Sequence, residues 1–344
     1  MRLKSMVKPL KNKHVVIPVF IPHKGCPYDC IYCNQKLISG QMKDLTEGEI
    51  RGIIEGHLAT IQTGSFVEIG FYGGSFTGID RELQINYLSI ANDYIKANRV
   101  NSIRLSTRPD YISESVLAYL KKFNVGTIEL GAQSLDEEIL GRSCRGHGVQ
   151  DVITSSQLIR SYGFELGIQT MVGLPGDTAE KAVNTAKKVI ELKPSIVRIY
   201  PTLVIKDTYL EKLYRSGNYF PLPLEVAVDI CAVLLGMYGE NGISVIRVGL
   251  QATENINTGG DIAAGPFHPA FRQLVEARLA LLKIEGQIAE KNLGGKKELL
   301  IHTKASNISN VIGQKRNNIA YLKEKYGFNR VIVSESTSDY DINV

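Results

Sequence analysis

The chain alternates short apolar runs with stretches whose apolar residues recur every three to four positions. Runs rich in β-branched and aromatic residues read as strands at His14–Pro22, Phe66–Gly73, Ser102–Ser106, Thr127–Ala132, Glu165–Gly173 and Ser195–Val204, with one more at Ser244–Leu250. Helical periodicity covers Leu83–Ile95, Ser113–Lys122, Val149–Tyr162 and Ala179–Leu192. Thr46 and Glu49 make a capping box that starts a helix running to about Ile61, and Asp177 with Glu180 reads as a second capping pair. Near-continuously apolar strands alternating with helices predict a parallel sheet covered by helices. A complete barrel, a partial barrel and an open doubly wound sheet all satisfy that pattern. In each of them functional residues belong just after the carboxyl ends of strands.

The rhythm changes after about Pro223. A long helix, Glu225–Tyr238, precedes a Gly-rich loop (TGGDIAAGPFHP) and a further helix, Ala270–Ile284. The last segment reads strand Leu299–Thr303, helix Ile308–Lys325, strand Val331–Ser334. This divides the chain into a core at 1–222, a helical extension of it at 223–290 and a small α/β appendage at 291–344. Neither internal repeats nor low-complexity segments interrupt the pattern.

The 344 residues are 44% hydrophobic and 22% charged, which excludes general disorder. No apolar run is long enough for a membrane span. The N-terminal stretch lacks the apolar core of a signal peptide, so a cytoplasmic protein is expected. The net charge of +5 is uneven: residues 1–25 carry +6, residues 291–344 carry +4, and the body between them carries −5. Two basic ends on an acidic body read either as solvated termini or as a surface for a polyanion.

Five cysteines are too few for a disulfide scaffold in a chain of this size. Three of them, Cys26, Cys30 and Cys33, fall within eight residues directly after the first strand. A loop there can wrap three soft thiolates around one inorganic centre, iron–sulfur or zinc. Zinc in a structural site would need a fourth ligand, such as His23 or His147. Three ligands instead leave a position open for chemistry. Cys144 stands apart and is expected to be buried and inert.

Cys26-Pro-Tyr-Asp-Cys30-Ile-Tyr-Cys33 resembles the signature of the radical SAM family. The resemblance implies a [4Fe-4S] cluster on the three cysteines, with S-adenosylmethionine (SAM) chelating the open iron and yielding a 5′-deoxyadenosyl radical. It implies a partial (β/α)6 TIM-type barrel with a small C-terminal α/β extension. It also implies roles for other residues in register with the cysteines. Tyr32 matches the aromatic near the adenine. Gly73 and Gly74, followed by Ser75 where Glu is frequent, match the turn whose backbone oxygens hold the SAM amine. Gln133, at the end of the fourth strand, matches the ribose contact, and Arg145 matches the partner of the SAM carboxylate. Gln169 stands where a ribose-contacting acid lies in oxygen-independent coproporphyrinogen oxidase, whose Gly-Leu-Pro-Gly turn is similar to Gly173-Leu174-Pro175-Gly176.

Several segments resemble the catalytic subunit of Elongator in particular: Ser106-Thr107-Arg108-Pro109-Asp110, Arg145-Gly146-His147, Ile199-Tyr200-Pro201 and Ser216–Pro221. Ser106 replaces a Glu that touches the SAM head group, and Tyr200 is placed to reach the adenine or the substrate. Arg108 reads equally as an ion pair at the barrel rim. Residues after the barrel do not resemble Elongator's acetyltransferase-type domain. Asn34 occupies the place of the oxidase's fourth Cys. The resemblance implies an RNA substrate, in particular a transfer RNA, and an electron donor such as ferredoxin or flavodoxin. A small-molecule radical SAM enzyme and an RNA-binding protein with a structural metal are the competing readings. Within the basic tail, Val311–Ile319 is similar to the Ile-Gly-x-x-Gly-x-x-Ile loop of KH domains. Lys315 and Arg316 are its candidate phosphate contacts, set against a solvated helix start.

Overall fold

The computed structural model describes residues 13–21, 26, 30–34, 43–250 and 260–344. His23, the basic stretch 1–12 with Lys24, and the opening of the Gly-rich loop lie outside the described residues. Strands β1 (His14–Phe20), β2 (Phe66–Tyr72), β3 (Ser102–Thr107), β4 (Val125–Gln133), β5 (Glu165–Val172) and β6 (Ile196–Pro201) are laid side by side in chain order. The predicted sixth strand ends early. Its tail, β7 (Val204–Ile205), leaves the sheet to pair antiparallel with β9 (Ile262–Ala264), while β8 (Ser244–Val248) joins β6 as the last strand. The pairs β1–β2, β2–β3, β3–β4 and β6–β8 are parallel, as the alternation with helices requires.

Helices fall between the strands with local start signals. For α1 (Glu47–Leu58) the capping box forms: the Glu49 N–H donates to Thr46 Oγ1 at 3.3 Å and the Thr46 N–H to Glu49 Oε2 at 2.7 Å. Asp80 caps α2 (Arg81–Lys96) and Ser113 caps α3 (Glu114–Lys122). Two helices, α4 (Glu137–Arg142) and α5 (Val149–Ser161), fill the β4–β5 connection. The cap of α6 (Ala179–Glu191) is not the predicted Asp177–Glu180 pair. Thr178 accepts from the Lys181 N–H, and the Asp177 carboxylate turns back to the Gly173 N–H at 2.7 Å. The chain goes on through α7 (Tyr209–Arg215), α8 (Leu224–Glu240) and α9 (Phe271–Glu290).

The chain clusters into two compact units. One comprises Met1–Asp29, Asn34–Ala132 and Cys144–Ile168; the other comprises Cys30–Cys33, Gln133–Ser143 and Gln169–Val344. In the first unit the strands depart from near-continuous apolarity in a regular way. Val67, Ile69 and Phe71 of β2, with Ile103 and Leu105 of β3 and Ile128 and Leu130 of β4, are buried on one face, where Phe71 stacks on Tyr87 of α2. Alternation sends Glu68, Arg104 and Glu129 to the other face. There Arg104, 2% exposed, donates to Glu68 through Nε (3.0 Å) and Nη2 (2.5 Å), and to Glu129 through Nη1 (3.2 Å). His14 Nε2 lies 2.7 Å from Glu68, Thr127 donates to Glu68 and Glu165, and the Tyr72 hydroxyl reaches Glu129. Burial works against the Arg104 charge, and the two carboxylates outweigh it, so its pKa lies above the ordinary value. One face of the sheet is therefore dry and the other carries a paired polar lattice.

In the second unit, β10 (Glu298–Thr303) pairs with β11 (Arg330–Glu335) in parallel and with β12 (Asp341–Asn343) antiparallel. Leu299, Ile301, Val311, Leu322 and Ile342 form a core there with Ala280, Leu281, Ile284 and Ile288 of α9. The predicted helix Ile308–Lys325 is broken into α10 (Ile308–Ile312) and α11 (Asn317–Tyr326). Gly313 has φ +75°, and a Cβ there would sit 2.8 Å from the Asn318 side chain. Asn318 in turn holds the break by donating to the Ala277 and Asn310 carbonyls. Lys315 and Arg316 follow in left-handed conformation, at φ 50° and 64°. Lys315 and Arg316 thus form an exposed turn that leads directly into α11, with Arg316 at its N-cap.

Candidate functional site

In the first unit the ends of β2, β3 and β4 meet the candidate residues. After β2, Gly73 has φ +109°, and a Cβ would fall 2.5 Å from the Ile21 carbonyl oxygen, so only glycine fits the turn. Ser75 does not serve as the acidic contact its position holds in relatives. Its hydroxyl is buried against Thr107 at 2.9 Å and accepts from the Arg108 N–H, fastening the turn to the end of β3. Ser106 is half-buried, two residues beyond Arg104 on the polar face of β3.

Arg108 has more work than a rim ion pair. Its guanidinium is 2% exposed, grips Asp110 at 2.9 and 3.0 Å, and donates to the Arg145 carbonyl at 2.8 Å. Its remaining Nη1 lies 3.9 Å from Cys26 Sγ, a cation beside a sulfur that must carry negative charge to ligate iron. Arg145 is buried, and its Nη2 donates to the Gly131 carbonyl at 2.6 Å, near the carboxyl end of β4. His147 is buried beside it, with Nε2 3.4 Å from the Ala132 carbonyl and Nδ1 4.0 Å from Asp110. Burial, reinforced by the Arg145 and Arg108 charges and opposed by Asp110, pushes its pKa down to about 4. It is a neutral imidazole used inside this unit. Cys144 is exposed rather than buried: its φ of 50° in the turn before Arg145 turns one neighbour in and the other out.

In the second unit, Cys30 to Cys33 form a tight turn in which the Cys33 N–H donates to the Cys30 carbonyl at 2.9 Å. Backbone bonds hold it at both sides, from the Ile31 N–H to the Ser143 carbonyl (3.2 Å) and from the Leu210 N–H to the Ile31 carbonyl (2.7 Å). Ile31 is buried with Val204, Leu210 and Tyr219, and Tyr32 packs half-buried against that cluster. Gln133 ends β4 at φ +68°, a left-handed conformation that costs a non-glycine residue roughly 1–2 kcal/mol. Gln169, in the middle of β5, and Tyr200, near the carboxyl end of β6, are half-buried. The Gly173–Gly176 turn is held by the Tyr219 hydroxyl on the Gly173 carbonyl (2.6 Å) and by Asp177 on the Gly173 N–H. Burial raises the Asp177 pKa to about 6, against the pull of those N–H donors.

Among the described residues no three His, Cys, Asp or Glu side chains are gathered into a finished metal shell. Residues 22–25, 27–29 and 35–42, which flank the cysteines, lie outside the described set.

Comparison with known proteins adds the family. The sequence profile of the radical SAM superfamily matches residues 20–189, and that of the radical SAM C-terminal domain matches residues 194–280. The chain belongs to the radical SAM superfamily. It is 31% identical over 184 residues to a tRNA uridine(34) acetyltransferase of Methanocaldococcus jannaschii, covering 48% of this chain and 34% of that protein. The same-named protein of Methanocaldococcus infernus is 28% identical, covering 66% and 50%. Human Elongator complex protein 3 is 26% identical, covering 64% and 43%. The chain thus spans a third to a half of the length of these relatives. The solved structure of Methanocaldococcus infernus Elp3 superposes with a TM-score of 0.61 at 22% identity, covering 82% of this chain and 64% of that one. The fold is accordingly the expected partial TIM-type barrel with a C-terminal extension.

Radical SAM proteins are enzymes that use a [4Fe-4S] cluster and SAM, so the reading as a binding protein with a purely structural metal gives way. When bound, the cluster supplies the electron that opens the SAM sulfonium. The residues present fit that pair of groups: cysteine thiolates are the soft donors an iron–sulfur centre takes, and the Gly73 turn has no room for a side chain. Sequence reasoning missed the Glu68–Arg104–Glu129 lattice and the approach of Arg108 to Cys26. The signal for the lattice was a charged residue inside each of three apolar strands.

Proposed function

We propose that this radical SAM enzyme modifies transfer RNA, acting on a uridine. Cys26, Cys30 and Cys33 are the cluster ligands in this reading. Gly73 and Gly74 hold the SAM amine through backbone oxygens, Gln133 and Gln169 bond the ribose, and Tyr32 lies by the adenine. Arg145 pairs with the SAM carboxylate in the two-pronged geometry that a guanidinium provides and an ammonium does not. Arg108 holds Arg145 through its carbonyl and offsets the Cys26 charge. Ser106 contributes a hydroxyl where a charged contact stands in relatives. Electrons come from a small redox protein such as ferredoxin or flavodoxin.

The observation that carries the substrate assignment is the match to proteins named for tRNA uridine(34), spanning up to 66% of this chain. The test compares modified nucleosides of transfer RNA, by mass spectrometry, from cells with and without the gene. Loss of a uridine derivative that returns with the wild-type gene and not with a Cys30→Ala copy supports the assignment. Identical nucleoside spectra refute it.

A further inference from the structure

The C-terminal piece carries more positive charge than its own carboxylates take up. Lys291, Lys304, Lys325 and Arg330 are paired, with Asp341, Asp339, Glu285 and Glu298 respectively. Lys296, Lys297, Lys315, Arg316 and Lys323 are all exposed, and none has an ion-pair partner among the described residues. Their placement is ordered. Arg316 stands at the N-cap of α11 and Lys323 lies two turns into the helix, with an exposed Ala320 between them. The turn carrying Lys296 and Lys297 is tied to the far end of that helix: the Gly295 N–H donates to the Tyr326 carbonyl, and the Asn329 and Arg330 N–H groups donate to the Lys297 carbonyl. Glu324 flanks the row as the acid of the helix nearest to it.

This arrangement costs the free protein. Lys315 and Arg316 each occupy a left-handed conformation, at roughly 1–2 kcal/mol per residue. They do so at the amino end of α11, where the helix dipole disfavours cations and the first turn carries no acid. Unpaired like charges held in strained backbone, locked by Gly313 and Asn318, point to an anionic partner that offsets the cost.

We propose that Lys315, Arg316, Lys323, Lys296 and Lys297 form a track for the RNA phosphate backbone. The nine helical steps of α11 from Asn317 to Tyr326, at ~1.5 Å each, make it about 14 Å long, the span of roughly four phosphates of a duplex strand at ~3.4 Å each. The surface reads charge and not sequence, so Ala320 serves by keeping the middle of the track low. The proposal rests on RNA being the substrate.

The test is binding of a transfer-RNA transcript to the full chain between 50 and 200 mM salt, for wild type and for Lys315→Ala/Arg316→Ala/Lys323→Ala. Each lost phosphate contact lowers the slope of log affinity against log salt by about 0.7–0.9, so the triple variant is expected to be shallower by about 2–3. Over that fourfold salt range the wild type then loses about twenty- to fortyfold more affinity than the variant. SAM cleavage in the absence of RNA is expected to stay unchanged. Lys296→Ala/Lys297→Ala, in a separate turn, is expected to lower the slope by about 1.5 and repeats the test on an independent fold element. Equal slopes in wild type and variants, with RNA still bound, overturn the track while leaving RNA as substrate. No RNA binding by the wild type at any salt overturns both, as does binding to phosphatidylserine vesicles in place of RNA.

Discussion

Replacing His147 with Gln tests the electrostatics built around Arg108 and Arg145. His147 is held neutral by burial and two nearby guanidinium groups, with its pKa down at about 4 against an ordinary 6.5. A base whose pKa is lower in the folded chain binds its proton first in the unfolded chain. Stability therefore falls as pH drops from about 6.5 to about 4, and is flat outside that window. At about 1.4 kcal/mol per unit, the full window is worth roughly 3 kcal/mol, and the part between pH 6.5 and 5 roughly 2. His147→Gln keeps an amide donor for the Ala132 carbonyl and has nothing to titrate. Urea unfolding of both proteins at pH 7.5 and pH 5 should show the wild type losing roughly 2 kcal/mol more than the variant, because carboxylates common to both cancel. Parallel losses would refute the reasoning and mean that His147 carries its proton inside the fold.

Other consequences are equally concrete. Arg104→Met leaves Glu68 and Glu129 buried without their partner and should cost about 3–5 kcal/mol, while Arg104→Met/Glu68→Leu/Glu129→Leu should recover most of that loss in thermal unfolding. A triple variant less stable than the single one would sink the account of the lattice. Gln133→Gly relieves the left-handed residue at the end of β4 and should raise stability by roughly 0.5–1 kcal/mol while weakening SAM binding in calorimetry; unchanged SAM affinity would remove Gln133 from the SAM contacts. Gly73→Ala should disrupt the β2 turn, seen as lost SAM binding, because its Cβ would meet the Ile21 carbonyl at 2.5 Å; an alanine variant that binds SAM normally would contradict the steric reading.

What the sequence made legible was local. Strand positions follow from runs of β-branched residues, and the start of α1 follows from Thr46 and Glu49, three residues apart. The Cys26–Cys33 spacing needs no tertiary knowledge either. Features that escaped depend on partners far along the chain. Arg104 finds carboxylates 36 and 25 positions away, which turns one sheet face polar although each strand reads as apolar. The break at Gly313 is held by Asn318 reaching Ala277, 41 positions away, so periodicity alone runs one helix through it. Asp177 looks like a cap until the Gly173 N–H, on the far side of a turn, claims its carboxylate. Cys is usually buried, whereas at Cys144 a left-handed turn next to a buried Arg decides its exposure.

The central claim, that Cys26, Cys30 and Cys33 hold a cluster that acts on SAM, is tested most directly by one assay. The full chain is reconstituted anaerobically with iron and sulfide, reduced with dithionite and given SAM, and 5′-deoxyadenosine is measured against a Cys30→Ala control. The account predicts 5′-deoxyadenosine from the wild type and none from the variant. No product from a wild type that carries its full complement of iron and sulfide, or equal product from both proteins, would contradict it.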